Sequence, residues 1–272
     1  VLCLLTDKID GEVFDAAPRA KIFANYAVGF DNINLEEARQ RHVTITNTPD
    51  ALTETVAEHT VALILSLGRR VVESDRFLRE GKYKGWDPML LLGMEFKNKT
   101  LGIVGCGRIG GRVAEIMHKG FGMKIAYYDR NQNDPLESEL SATFMPELDD
   151  LLSSSDIVSL HLPATPETQH LLNEERLTKM KPTALLINTS RGSVVDEAAL
   201  ANALKTDTIT GAALDVFEHE PDVHPELLVL DNVILTPHTA SATLEAREQM
   251  STIAADNIIA VLNNQSPPNP VI

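Results

Sequence analysis

Along most of the chain, short apolar runs rich in β-branched residues alternate with longer stretches whose apolar positions recur at helical intervals. A short apolar run bounded by turn residues predicts a strand buried on both faces. Strands alternating with helices in this way pair in parallel and carry helices on either side of the sheet. The predicted strands are Val1–Leu5, Lys21–Tyr26, Val43–Asn47, Thr100–Val104, Lys124–Tyr128, Ile157–Leu160, Ala184–Asn188, Thr210–Asp215 and Asn232–Leu235, and the class is α/β.

Two helical stretches differ from the rest. No proline interrupts the chain between Pro49 and Pro88, Thr55 and Glu58 form a capping-box pattern at the front of this stretch, and Gly68 is a candidate division. Near the C-terminus Met250, Ile253, Ala254, Ile258, Val261 and Leu262 follow helical spacing until Pro267, Pro268 and Pro270 end regular structure. Both suit crossovers between domains, and 272 residues suffice for two cores. The expected division is a discontinuous domain of residues 1–49 and 244–272, with residues 50–243 inserted as a second domain. Val1-Leu2-Cys3-Leu4-Leu5 reads as a strand already under way and lacks an initiator Met, so the first domain is expected to be N-terminally incomplete.

Charge narrows the partners. With 24 Lys and Arg against 39 Asp and Glu, the net charge of −15 repels nucleic acid and anionic membrane surfaces. The longest mostly apolar run, Val61–Leu67, falls far short of the roughly 20 residues that a membrane span needs. Two cysteines, Cys3 and Cys106, make no disulfide framework and suit a cytoplasmic protein. His219 and His224 lack a third ligand for zinc, so no metal site is expected.

The strand Thr100–Val104 runs directly into Gly105-Cys106-Gly107-Arg108-Ile109-Gly110, and a helical pattern carrying Val113, Ile116 and Met117 follows. This is the setting of a Rossmann dinucleotide site. Gly105 permits the tight turn, Gly107 admits the pyrophosphate to the backbone, and Gly110 lets helix and strand pack closely. The unpaired N–H groups at the helix start, with Arg108 and Ile109 among its first residues, then face the phosphates. Asp129 ends the strand Lys124–Tyr128, 19 residues past Gly110, where the acid that binds the adenosine ribose is expected. A carboxylate there accepts from the 2′-OH of NAD and repels the 2′-phosphate of NADP, so NAD(H) is favoured. The adjacent Arg130 offers that phosphate a partner and leaves NADP(H) open.

Doubly wound folds build their sites past the C-terminal ends of parallel strands. Three residues there suit reduction of a 2-oxo acid. Arg191, in Asn188-Thr189-Ser190-Arg191-Gly192, can hold a substrate carboxylate through its planar two-pronged donor set. His238, in Thr236-Pro237-His238, can deliver a proton to the carbonyl oxygen near neutral pH. Glu220, in Asp215–Pro221, is the carboxylate that would favour the protonated ring. His161 also follows a strand and is the rival to His238, but no Glu lies near it in sequence.

Read together, these segments resemble the D-isomer-specific 2-hydroxyacid dehydrogenases. The likeness rests on Asn25–Asn32, Lys99–Gly110, Asn188–Gly192, Asp215–Pro221 and Thr236–Ser241 in order, and covers essentially the whole chain. It implies a Rossmann domain inserted in a smaller flavodoxin-like substrate domain, whose usual first strand–helix unit is absent here. It implies that Arg191, Glu220 and His238 are the family's catalytic Arg, Glu and His, and that backbone at Val28 and Gly29 helps hold the substrate carboxylate. It further implies that Thr55, Asp129, Thr189 and Asp215 contact the cofactor. Asn25–Asn32, together with Lys84-Gly85-Trp86 and Leu90-Leu91-Leu92-Gly93, is most similar to the glyoxylate and hydroxypyruvate reductases. In that subgroup the Trp reaches across a homodimer, which would set Trp86 at the border of the partner's active site; the plainer reading is a buried interface aromatic. D-lactate, phosphoglycerate and 2-ketogluconate chemistries remain open, as does a corepressor-like nucleotide-sensing module on the same fold.

Overall fold

The computed structural model describes residues 1–272. The chain forms two compact units, Val1–Thr55 with Ser241–Ile272, and Val56–Ala240.

In the first unit β1 (Leu2–Cys3), β2 (Ile22–Asn25) and β3 (Thr44–Thr46) pair in parallel in the order β1-β2-β3. Its core gathers Phe14, Phe23, Ile33 and Ile45, with Phe14 and Phe23 meeting edge to face. The Val1–Leu5 run supplies β1. It lies at a sheet edge, only Cys3 is buried, and Asp7 accepts a hydrogen bond from the Leu4 N–H at 2.8 Å to turn the chain.

The C-terminal helix, Leu244–Leu262, is capped by the Thr243 hydroxyl. Its buried positions are Ala246, Met250, Ala254 and Asn257, whereas Leu262 is exposed. The polar Asn257 displaces apolar neighbours because its amide holds the chain end: it accepts from the Asn269 N–H at 2.9 Å and donates to Asn47 O at 3.4 Å. The closing prolines therefore do not end all regular pairing. Val271 N–H donates to Ile45 O at 2.8 Å, and Pro270 bridges Thr46 in antiparallel sense.

The second unit holds β4 (Thr100–Val104), β5 (Lys124–Tyr128), β6 (Thr143–Phe144), β7 (Ile157–Leu160), β8 (Leu185–Asn188), β9 (Gly211–Leu214) and β10 (Val233–Leu235). All are parallel, in the order β10-β9-β8-β7-β4-β5-β6. The two-residue edge strand β6 escapes sequence reading, being too short for a periodic pattern. Side chains alternate across β4, so Leu101 and Ile103 join one apolar cluster and Val104 the other, each covered by helices. Strand order reverses between β4 and β7, and the crevice past their C-terminal ends is where such sheets bind ligands.

The proline-free stretch forms the helices Thr53–Gly68 and Val71–Arg79, divided after Gly68. Thr55 is the third residue of its helix and not the cap, so the Thr55–Glu58 capping box does not form; the Thr55 hydroxyl lies 3.4 Å from that of Thr243 instead. No helix is long and apolar enough to cross a membrane.

Candidate functional site

Past β4 the chain turns at Gly105, whose φ of +93° lies in the left-handed region that favours glycine. A Cβ at Gly105 would lie 2.7 Å from the His161 carbonyl oxygen, and one at Gly110 would strike the Gly105 carbonyl. Gly107 differs: it is the cap residue of the helix Arg108–Phe121, and no atom lies within 4 Å of where its Cβ would stand. An open, side-chain-free cradle at a helix N-terminus fits a pyrophosphate, with the helix supplying local positive potential on an acidic chain.

Asp129, directly after β5, ties this loop down. One carboxylate oxygen accepts from the Cys106 N–H and the other from the Arg130 N–H, both at 2.6 Å, while Asn133 Nδ2 donates to Cys106 O at 3.1 Å. The Cys106 thiol is buried; that burial, helped by the charge of Asp129, pushes its pKa up to about 12, so it is inert as a nucleophile.

The catalytic candidates converge in the same unit. After β8 the Asn188 side chain shapes the turn, accepting from Ser190 N–H at 3.0 Å and Ser190 Oγ at 2.9 Å and donating to Arg191 O at 2.9 Å. Arg191 Nη1 donates to Ser190 O at 2.8 Å. Glu220 Oε2 accepts from His238 Nδ1 at 2.8 Å, and Glu220 Oε1 accepts from the Phe217 N–H at 3.0 Å. Burial alone would push the Glu220 carboxyl up. The His238 and Phe217 hydrogen bonds and the charges of His238 and Arg191 outweigh it and hold the group below the usual carboxylate range. An ionised carboxylate only accepts, so Nδ1 carries a proton and Nε2 is left free of this bond.

His238 stands in left-handed backbone, with φ of +52°, a costly conformation that its surroundings must impose. Asp215 imposes it. This residue is fully buried; its Oδ1 accepts from Thr236 Oγ1 at 2.6 Å and Thr239 N–H at 2.8 Å, and its Oδ2 from Ala240 N–H at 2.8 Å. The Asp215 carbonyl also receives the His238 N–H at 2.8 Å. Burial would raise the Asp215 carboxyl, but hydrogen bonds from His59, Thr236, Thr239 and Ala240 overcome it and lower the pKa. Sequence reading gives Asp215 a cofactor contact through resemblance and misses this anchoring. The one signal was an Asp at a strand end ahead of a Thr-Pro-His-Thr segment.

The rival His161 has no carboxylate partner. Its Nε2 lies 2.9 Å from Ser159 Oγ, and burial pushes its pKa down to about 4, leaving it neutral near pH 7 and without the imidazolium proton that a general acid gives. Thr189 is buried with its hydroxyl 2.8 Å from that of Thr60. In the first unit the Ala27–Gly29 turn is held through its carbonyls: Asn47 Nδ2 donates to Val28 O and Asn25 Nδ2 to Gly29 O, each at 2.8 Å, and Thr48 N–H donates to Ala27 O at 2.9 Å. Trp86 is 83% exposed.

Residues 61–240 match the family model for the NAD-binding domain of D-isomer-specific 2-hydroxyacid dehydrogenases. The chain belongs to that family. It is an oxidoreductase with a nicotinamide dinucleotide as cofactor. This dehydrogenase is 53% identical over 272 residues to a glyoxylate reductase of Korarchaeum cryptofilum (strain OPF8), covering 99% of this chain and 81% of the relative. Its identity to a glyoxylate reductase of Pyrococcus furiosus is 51%, over 98% of this chain and 80% of that one. Among solved structures, an NADPH-dependent glyoxylate/hydroxypyruvate reductase from Sinorhizobium meliloti in complex with NADP and malonate superposes with a TM-score of 0.91 at 37% identity, over 99% of this dehydrogenase and 83% of that chain. A D-lactate dehydrogenase from Aquifex aeolicus complexed with NAD and lactic acid gives 0.90 at 34%, over 99% and 85%.

Proposed function

We propose that this dehydrogenase reduces glyoxylate, or hydroxypyruvate, to the corresponding 2-hydroxy acid, D-specific where the product is chiral, with NADH as the favoured donor. The observation that carries the reading is the 2.8 Å bond between Glu220 and His238 Nδ1, within reach of the Arg191 charge. The names of the relatives at about half identity supply the substrate class. The Gly105–Gly110 loop and Asp129 would hold the dinucleotide, which would supply a hydride to the carbonyl carbon. Arg191 pairs with the substrate carboxylate. His238 gives the proton on Nε2 to the carbonyl oxygen, and Glu220 keeps Nδ1–H in place and offsets the ring's charge. In the reverse direction His238 accepts the hydroxyl proton.

Following NADH absorbance with a panel of 2-oxo acids tests this. Glyoxylate and hydroxypyruvate are expected to exceed pyruvate in kcat/KM by about tenfold or more, tenfold being the low end of what one methyl group discriminates. The KM for NADH should lie below that for NADPH, since Asp129 repels a 2′-phosphate. No oxidation with any 2-oxo acid would overturn the substrate reading; a lower KM for NADPH would overturn the cofactor preference.

We also propose a homodimer, with the cytoplasm as its location. Leu78, Trp86, Met89 and Leu92 are each more than half exposed along one stretch of chain, and apolar surface of that extent marks an interaction site. A second copy is the occupant, consistent with the similarity of Lys84-Gly85-Trp86 to the reductase subgroup. Light scattering should return about twice the 29.8 kDa chain mass; a monomer would count against the role of Trp86. Both free thiols are buried and suit a reducing compartment.

A further inference from the structure

Glu197 opens the helix Glu197–Lys205, where an acidic residue ordinarily sits in solvent beside the helix N-terminus. Here it is only 5% exposed. The capping bond of that helix is made by Asp196, whose carboxylate accepts from the Ala199 N–H at 2.9 Å, so Glu197 is not needed as a cap. Its two oxygens reach instead to another segment. Oε1 accepts from the Glu218 N–H at 2.7 Å and Oε2 from the His224 N–H at 3.1 Å.

Those two donors bracket Glu220. One buried carboxylate thus closes the loop that carries the partner of His238, from two residues before it to four after. A second contact binds the same loop to the Arg191 turn. Gly192 packs so closely on the backbone of Phe217 and Glu218 that a Cβ there would overlap the Phe217 carbonyl. From Arg191 the chain runs through a short 3-10 turn, Gly192–Val194, to the helix that Glu197 begins. The turn bearing the carboxylate-binding Arg and the loop bearing the carboxylate of the His–Glu pair are therefore held together at Gly192 by shape and at Glu197 by charge-assisted hydrogen bonds.

We propose that Glu197 is a positioning residue for the Glu220–His238 pair, fixing the Glu220 loop against the Arg191 turn without touching substrate or cofactor. This rests on the reading of Arg191, Glu220 and His238 as the reaction site. If the Glu197 oxygens are lost, the loop relaxes, and Glu220 loses part of its hold on the Phe217 N–H and on His238. Those bonds, with the charges of His238 and Arg191, keep its carboxyl low against the opposing effect of burial. His170 also faces the loop, its Nε2 2.5 Å from Glu218 Oε1, and it holds Glu218 and not Glu220.

Glu197→Gln is the probe, because the amide keeps the shape but points its NH2 group at one of the two N–H donors. In the full chain labelled with carboxyl-13C glutamate, the Glu220 signal is assigned by its loss in Glu220→Gln and followed through pH. Glu197→Gln is expected to raise the Glu220 midpoint by about half a unit or more toward the ordinary carboxyl range, and to lower kcat/KM for glyoxylate by roughly threefold to tenfold. The NADH dissociation constant should stay unchanged. Glu197→Asp, which keeps both acceptors but draws them back, should fall between and replaces the Gln variant if that one does not fold. Asp196→Ala weakens the same helix start without touching the Glu220 loop, so it should lower Tm and leave the Glu220 midpoint in place. A Glu220 midpoint unmoved by Glu197→Gln, or moved as far by Asp196→Ala, overturns the proposal. The titration needs no turnover, so a wild type that reduces no 2-oxo acid would sink the functional reading and still leave this one decided.

Discussion

Replacing His238 with Gln is expected to lower kcat for glyoxylate reduction by roughly 10³-fold, the middle of the range that general acid catalysis contributes. NADH binding should stay within about twofold of wild type, because the pyrophosphate loop and Asp129 belong to other parts of the sheet edge. Gln keeps a donor for the Glu220 carboxylate and has about the reach of the ring, yet has no proton to transfer, so it separates the chemistry from the packing. Fluorescence titration with NADH and a turnover assay on the same preparation read the two effects independently. Near-normal turnover would return the acid role to some other group, and His161 is a poor claimant because burial pushes its pKa down to about 4. Glu220→Gln should be milder than His238→Gln: the ring stays, but its proton is held by a neutral amide instead of a charge.

The parts of this site that sequence reading reaches are those whose chemistry is written in residue type and place. β4, β5 and β7 match their predicted ranges at both ends, since each carries a run of consecutive buried residues that fixes its place. The glycine loop falls where a strand meets a helix, and Arg191, Glu220 and His238 follow strands, where a doubly wound sheet places ligands. The failures have a common physical origin in contacts far apart in sequence. Thr55 with Glu58 satisfies a local capping rule, but the helix starts at Thr53. Asn257 occupies a buried helical position that the apolar pattern assigns to its neighbours, because only its amide can hold Asn269.

The same origin hides the tasks of Asp215 and Glu197. An Asp at a strand end and a Glu at a helix start carry no local mark of burial, and nothing in their neighbours says that each accepts backbone N–H groups from elsewhere. Sequence therefore displays candidate groups through residue type and place, and conceals buried acids whose partners come from distant segments. Gly192 is intermediate. Its place beside Arg191 marks a turn, but the packing against Phe217 that excludes a side chain emerges only from the fold.

Asp215→Ala is expected to destabilise the protein by about 3 kcal/mol or more, the scale of several buried donors left without an acceptor. The Thr236 hydroxyl and the Thr239 and Ala240 N–H groups all lose their partner, and no water-filled surface replaces it, since Asp215 is fully buried. The left-handed backbone at His238 then loses what imposes it, so turnover should fall even at temperatures where the variant stays folded. Asp215→Asn keeps one acceptor oxygen and turns an NH2 group toward remaining donors, which places it between the two. The pH dependence has a definite sign. The Asp215 carboxyl is held below its ordinary value in the folded protein, so its stabilising effect is complete above an unfolded pKa of about 3.9 and is lost as pH falls through the folded value. Urea unfolding should therefore show the full wild-type advantage over Asp215→Ala at pH 7, with the gap narrowing only below about pH 4. An Asp215→Ala variant with the wild-type urea midpoint at pH 7 would show that the Thr236–Ala240 loop stands without its carboxylate, and with it that His238 is aimed by something else.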